Sequence, residues 1–295
     1  MSTRINHNIL AMTSRRHLGQ SQIAMDNSVT RLSSGLRVNN SWDDPAGLAV
    51  SERFRAQMSG MVEAERNANY NINLLATAEG ALSVIDEKMI RMRALAVQAS
   101  NGALTEDDRS FINLEFQQLK SEITRIANVT NYNTLKLLDG SLSGTNAQGA
   151  NAGNLTSLNA NSNSLKFHIG ANNDVANDYY YVNIGGATAS HLGIDGADVL
   201  NTANSQAAID LIDTAIESKD TARTFIGSMV GRLQANILEL QISHENAQSS
   251  EAQIRDADIA EEMASFTRAQ ILFNSGISML SQANSLPSMV AQLIG

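Results

Sequence analysis

Apolar residues recur at steps of three and four over two long regions of the chain, residues 5–130 and 203–286. That spacing places them on one face of an α-helix. Between the two regions lies a segment rich in Asn, Gly, Ala and Ser, a composition that buries too little apolar surface to form a domain. The first and last forty residues carry apolar stripes with few apolar neighbours in sequence to cover them. A chain of this kind must bury its ends against each other, against copies of itself, or both.

The two terminal stripes have the spacing of seams between packed helices, with steps of three, four or seven residues. They predict that the two ends of the chain pair as helices and that the protein is an assembling structural protein. The stripe residues are Leu18, Met25, Val29, Leu32 and Leu36 near the amino end, and Ile259, Met263, Phe266, Phe273, Ile277 and Leu280 near the carboxyl end.

Turn and cap signals divide the amino-terminal region into three helices. Gly35 ends the first, and Asp44 and Pro45 supply an N-cap and a first helical residue for the second. Gly102 ends the second helix, because glycine is the preferred left-handed residue after a helix. Thr105, with Asp108 three residues later, predicts a capping box at the start of the third.

The pattern changes to period two after residue 131. Short strands are predicted around Leu135–Leu137, Leu165–Ile169 and Tyr180–Ile184, where apolar and polar residues alternate. Helix resumes near Ala203, and the polar residues 248–253 predict a break before the last helix. Pro287 is predicted to kink or end that helix.

These elements predict a mainly α fold: a long antiparallel helical bundle or coiled coil with paired terminal helices and a small β-hairpin region. Aromatic residues are only 4% of the 295 residues, so the core must be aliphatic. The net charge is −9 and the basic residues are spread along the helices, which argues against a nucleic-acid partner. No apolar run approaches the ~18 residues of a membrane span, and the first ten residues lack the apolar core of a signal peptide.

Candidate chemical sites are few. His244 and Glu245 resemble the start of a helical zinc-protease motif, but Gln248 stands where the second histidine is required, so a solvated helix face is the better interpretation. Asp43 and Asp44 precede a proline, which fits a helix start better than a metal or acid–base pair. Met residues at helical spacing (Met58, Met61, Met89, Met92) fit core packing better than a promiscuous groove. The sequence, which contains no cysteine, predicts no enzyme, no catalytic residue, no metal and no cofactor.

Two segments resemble bacterial flagellin, the filament subunit of the flagellum. They are residues 31–55, RLSSGLRVNNSWDDPAGLAVSERFR, and residues 270–287, QILFNSGISMLSQANSLP. The resemblance extends over nearly all of the chain except residues 143–163, and it implies a minimal flagellin without large outer domains. It implies a secreted, extracellular filament protein that assembles with itself, is exported unfolded by the flagellar type III apparatus and polymerises at the filament tip.

The resemblance also implies a domain plan. Residues 1–44 and 251–295 form the two halves of an inner helical domain that makes the filament core. Residues 45–142 and 164–250 form the two parts of an outer helical rod with the β-hairpin. Residues 143–163 form a variable surface loop.

Further partners follow from the family: an export chaperone, the filament cap, hook-junction proteins and the vertebrate flagellin-sensing Toll-like receptor. The receptor-binding positions that carry over are Arg91, Leu95 and Glu115, while Ile90 departs from the usual Gln. We expect the three residues to form one patch, although they could instead pack filament interfaces. Two alternatives are a hook–filament junction protein and, from another class, a flagellin with an embedded zinc protease.

Overall fold

The computed structural model describes residues 7–142, 164–175 and 177–294, with side chains up to residue 285. It contains five helices and four short strands within those residues. In chain order the elements are α1 Ile9–Ser34, α2 Pro45–Ala99, α3 Glu106–Val129, β1 Asn131–Tyr132, β2 Leu135–Lys136, β3 Leu165–His168, β4 Tyr179–Val182, α4 Thr202–Arg255 and α5 Ile259–Ile294.

The chain forms two compact units. The terminal unit comprises Met1–Ala56 and Glu245–Gly295, and the middle unit comprises Gln57–His244. The division falls inside α2 and α4, whereas the sequence analysis drew it at residues 44 and 250. The roles assigned to the sequence-based domains stay predictions, and the expected surface loop 143–163 lies outside the described residues.

The caps follow the sequence signals. Thr105 and Asp108 form the expected capping box: the Thr105 hydroxyl accepts from the Asp108 N–H at 3.3 Å, and the Asp108 carboxylate accepts from the Thr105 N–H at 3.0 Å. The Thr105 hydroxyl also donates to the Asp108 carboxylate at 2.7 Å, and this bond, together with the one from the Thr105 N–H, holds the pKa of Asp108 below its ordinary value. Gly35 ends α1 in the left-handed conformation, with φ 72°, and its N–H donates to the Arg31 carbonyl at 2.8 Å.

Two expected helix ends are wrong. The polar residues 248–253 do not break α4, which continues to Arg255. This stretch contains neither Gly nor Pro, and exposed polar residues are compatible with a helix. Likewise α5 does not end at Pro287 but continues to Ile294, whereas the alternative of a kink at Pro287 stays a prediction. A proline removes one backbone N–H donor but leaves the other hydrogen bonds of the helix available.

The strands form two antiparallel hairpins. Strands β1 and β2 are joined by Asn133 and Thr134, which both have positive φ, 49° and 68°, as the twist of a two-residue hairpin turn requires. Strand β3 pairs with β4, with Phe167 opposite Tyr180. The expected strands at 165–169 and 180–184 end slightly earlier, but Ile169 and Ile184 are still buried.

The middle unit has a filled aliphatic core. In α2 the apolar seam from Ile72 to Ala99 is buried except for Ile72, which is partly buried, and α3 adds Phe116 and Ile123. Met89 and Met92 are fully buried, so these methionines are core residues. The remaining large contributors come from α4 and the segments before it, among them Leu137, Phe167, Val182, Ile184, Ile212, Ile226 and Leu233.

Candidate functional site

Helices α1 and α5 pair in antiparallel orientation within the terminal unit. At one end, the Asn8 side-chain amide donates to the Ala283 carbonyl at 2.7 Å. At the other end, the Glu262 carboxylate accepts from Arg31 at 2.8 Å and from the Ser28 hydroxyl at 3.0 Å. The predicted pairing of the chain ends is therefore present in the single chain.

Small residues let the two helices approach closely. The side of α5 that meets α1 carries Glu262, Ala269, Gly276 and Ala283 at steps of seven, and Ala269 and Ala283 are buried. A Cβ atom at Gly276 would lie 3.1 Å from Leu18 Cδ1, which is a tight contact. This seam provides close backbone packing but little apolar area.

Backbone and carboxylate contacts join the segment that follows α1 to the segment that precedes α5. Leu36 forms an antiparallel bridge with Asp256, and the Ala257 N–H donates to the Gly35 carbonyl at 3.0 Å. The Arg255 guanidinium contacts Glu52 at 3.0 Å. Hydrogen bonds from Arg55 and then from Arg255 lower the pKa of Glu52.

Asp43 and Asp44 have structural roles, as expected. The Asp44 carboxylate accepts from the Gly47 N–H at 2.9 Å and caps α2. A Cβ atom at Gly47 would lie 2.4 Å from this carboxylate, so glycine leaves room for the cap. The Asp43 carboxylate accepts from the backbone N–H groups of Asn39 and Asn40 at 3.1 and 2.9 Å.

Pairing covers little of the apolar surface in the terminal unit. Among its described residues, the buried apolar side chains are only Val38, Ala247, Ala269 and Ala283. Its exposed large apolar side chains are Ile9, Leu10, Met12, Ile23, Val29, Trp42, Ile259, Met263, Ile271, Leu272, Ile277 and Met279. With so many large apolar side chains exposed and so few buried, the described part of the terminal unit has the character of an interface.

The predicted stripe residues are only partly covered. Val29 is 48% exposed, Ile259 51%, and Met263 and Ile277 48% each. The others, Leu18, Met25, Leu32, Leu36, Phe266, Phe273 and Leu280, are partly buried. Further exposed apolar residues were not among the predicted stripes, notably Met12, Ile23 and Ile271, although Met12 and Ile23 have heptad-compatible spacing with Ile9.

The three residues expected at a receptor patch do not share one surface. Arg91 Nε donates to Glu115 Oε1 at 2.8 Å, and both side chains are about half exposed, so these two are brought together as expected. Leu95 is only 2% exposed and belongs to the core of the middle unit. The expectation of a three-residue surface patch is wrong for Leu95, because its position on α2 faces the buried seam with Met92 and Ala99.

In the part of the chain that the structure describes, no group of three or more His, Asp or Glu side chains could hold a metal ion. Likewise, no described helix has the length and apolar character to cross a membrane.

Comparison with known proteins identifies both helical regions. Residues 5–143 match the family model described as the bacterial flagellin N-terminal helical region, and residues 209–294 match the bacterial flagellin C-terminal helical region. A flagellin of Halalkalibacterium halodurans is 40% identical over 98% of this chain and 99% of its own length. The flagellin FlaB2 of Treponema pallidum is 38% identical over the same shares of the two chains.

One solved structure agrees with the fold. A protein described as a flagellar hook-associated protein of Vibrio parahaemolyticus has a TM-score of 0.55, with 72% of this chain and 100% of that chain covered. At 18% identity this likeness shows the fold alone and does not favour the hook–filament junction alternative. The flagellins, in contrast, are similar over nearly the whole chain. The chain is thus a structural filament subunit rather than an enzyme, and it belongs to the bacterial flagellin family.

Proposed function

We propose that the terminal unit is the part through which this filament subunit polymerises, and that residues 1–44 and 251–295 form the filament core. The observation that carries the proposal is that, among its described residues, the terminal unit exposes twelve large apolar side chains and buries only four apolar ones. Burying apolar area contributes roughly 25 cal/mol per Å², offset by the entropy of ordering the ends. Contacts between copies would cover the apolar side chains that the α1–α5 pair leaves exposed.

Deletion of residues 260–295 tests this role. The truncated chain should keep the helical content of the middle unit, measured by circular dichroism, and should form no filaments by electron microscopy. A matched control is Val175→Ser, which removes an apolar side chain that is 66% exposed in the middle unit, and it should polymerise normally. Filaments formed by the truncated chain would contradict the proposal.

We further propose that the middle unit supplies the outer rod and that the protein is secreted to an extracellular flagellum. Membership of the flagellin family supports export through the flagellar type III apparatus, with an export chaperone, the filament cap and hook-junction proteins as partners. In a bacterium with a disabled flagellar export apparatus, the protein should remain inside the cell. Accumulation in the medium of those cells would contradict this route.

Recognition by the flagellin-sensing Toll-like receptor is a second proposal, and it now rests on Arg91 and Glu115. The two form an exposed ion pair, flanked on α2 by Ile90, which is 58% exposed, and on α3 by Leu114, which is 63% exposed. Leu95 would support the surface from the core rather than touch a receptor. An arginine flanked by apolar side chains has the composition of an interface anchor.

Arg91→Ala tests the receptor proposal. The variant should weaken activation of receptor-expressing cells by monomer by at least about ten-fold, since an arginine anchor can contribute about 2 kcal/mol. Arg66→Ala removes another exposed helix arginine and serves as the matched control. Unchanged signalling by Arg91→Ala, with its fold intact, would show that the site does not carry over to this chain.

A further inference from the structure

Helix α1 carries a second apolar stripe that α5 does not cover. Ile9, Met12, Arg16 and Ile23 follow one another at steps of three, four and seven, the spacing of a coiled-coil seam. Ile9 is 58% exposed, Met12 71% and Ile23 62%. Arg16 is also exposed, and its guanidinium forms no ion pair with any residue that the structure describes.

Helix α5 carries a surface that fits such a stripe. A shallow concavity lies among Met263, Ala264, Thr267, Arg268, Ile271 and Leu272. Four of these, Ala264, Thr267, Arg268 and Ile271, stand at positions i, i+3, i+4 and i+7, which together form the hole that receives a side chain from a facing helix. The seam of α5 that meets α1 is a different one, which contains Ala269 and Gly276, so the hole is left open.

The charges next to the two surfaces are complementary. Glu261 is exposed, lies one turn before Ala264, and its carboxylate makes no ion pair among the described residues. Ile9 and Arg16 are seven residues apart, which is about 10 Å along a helix. The centre of the hole and Glu261 are separated by nearly the same distance. In an antiparallel alignment, Ile9 in the hole therefore brings Met12 over Ala264 and Arg16 level with Glu261.

The two surfaces of one chain cannot meet. The contact between Asn8 and Ala283 places Ile9 about fifteen residues, or about 22 Å, from the hole along α5. In a second copy that has the same orientation as the first, α1 runs antiparallel to α5 of the first copy. Shifted by about 22 Å along the helix axis, that copy can seat its stripe in the hole.

We propose that neighbouring subunits dock α1 of one copy onto α5 of the next with this axial shift, Ile9 and Met12 filling the hole and Arg16 pairing with Glu261. This inference rests on the proposed role of the terminal unit in polymerisation and adds the residues and the register of one contact. The occupant is a second copy of this chain, because the stripe, the hole and the opposite charges all belong to the same unit.

Disulfide trapping tests the register. The chain contains no cysteine, so a pair introduced as Met12→Cys and Ala264→Cys is the only thiol pair present. Within one chain these positions lie about 22 Å apart along the helices, far beyond the Cα separation of about 4.4–6.8 Å that a disulfide requires. Oxidised filaments should give a ladder of covalent multimers on a non-reducing gel, and oxidised monomers should not.

The control pair is Met12→Cys with Ser278→Cys. Ser278 is exposed two heptads further along the same outward face of α5, and it reports a neighbour with no axial shift. A ladder from the Ser278 pair without one from the Ala264 pair overturns the register, as does the absence of both ladders in intact filaments. Failure of the unaltered chain to polymerise would instead overturn the proposed function and this inference with it.

Charge reversal tests the ion pair independently. Arg16→Glu and Glu261→Arg should each raise the critical concentration for polymerisation about ten-fold, because each places like charges opposite one another. The double variant should return it to within about three-fold of the unaltered chain, with monomer helicity unchanged by circular dichroism. A double variant that polymerises no better than either single variant overturns the pairing.

Discussion

The middle unit and the terminal unit are built from similar long helices, yet their apolar residues have different environments. In the middle unit the seams of α2, α3 and α4 close around one core that contains Phe116, Ile123 and Leu233. In the terminal unit the α1–α5 pair closes around small residues such as Ala269 and Gly276 and leaves large side chains outside. We therefore propose that the middle unit completes its core within the chain and that the terminal unit completes its core only with additional copies.

The largest difference should appear in matched core and surface truncations. Phe116→Ala removes a fully buried aromatic side chain of the middle unit and should lower the free energy of unfolding by about 3–5 kcal/mol. Ile271→Ala in the terminal unit removes a side chain that is 59% exposed and should change monomer stability by less than about 0.5 kcal/mol. Urea denaturation of monomers measures both.

For polymerisation, the relative effects of the two variants should be reversed, with Ile271→Ala the more harmful. Ile271→Ala should raise the critical concentration for polymerisation, because the lost side chain lines the concavity on α5. Phe116→Ala should polymerise once folded. A monomer destabilised as strongly by Ile271→Ala as by Phe116→Ala would remove the distinction between the two units.

A smaller effect is expected at the buried lysine of the middle unit. Lys219 is 3% exposed and pairs with Asp86 and, at 2.8 Å, with Asp220, while Arg223 contacts Glu79 at 2.6 Å. Lys219→Met should cost about 2–3 kcal/mol of unfolding free energy, since it leaves Asp86 without its closest cation. Lys88→Met, at a more exposed lysine, is the control and should cost less than about 0.5 kcal/mol. A loss of unfolding free energy from Lys219→Met as small as that from Lys88→Met would show that the buried pair contributes little to stability.

The smallest effect is expected in segment 143–163. A short epitope inserted after Gly149 should leave both units and filament assembly unchanged, because the segment lacks the apolar residues of a core. Antibody labelling along the filament wall measures this. Loss of assembly, or an epitope hidden from antibody, would contradict the expectation of a tolerant surface loop.

Most of the fold could be predicted from local signals in the sequence. Periodicity identified the seam that contains Phe116, and cap chemistry identified Asp44 and Thr105, because these depend on residues within one or two helical turns. The break expected at residues 248–253 was wrong, since polarity alone does not end a helix. Pairing of the chain ends was also predictable, because neither stripe had apolar neighbours in sequence to cover it.

The candidate site was less predictable, because periodicity defines a face but not its partner. Lys219 occupies a seam position, seven residues after Ile212 and seven before Ile226, but a lysine at that position does not show by itself which carboxylates pair with it. Leu95 was assigned to a surface by resemblance, although it lies on the buried side of α2. The second stripe of α1 was missed because Arg16 and small residues interrupt it.

Hydrogen–deuterium exchange of monomer and filament tests the central claim most directly. Amides of the middle unit should be protected in both forms, because their core is complete in the single chain. Amides of α1 and α5 should exchange rapidly in the monomer and become strongly protected in the filament, since exchange reports local opening. Equal protection of α1 and α5 in monomer and filament would contradict the claim that the terminal unit completes its core only on assembly.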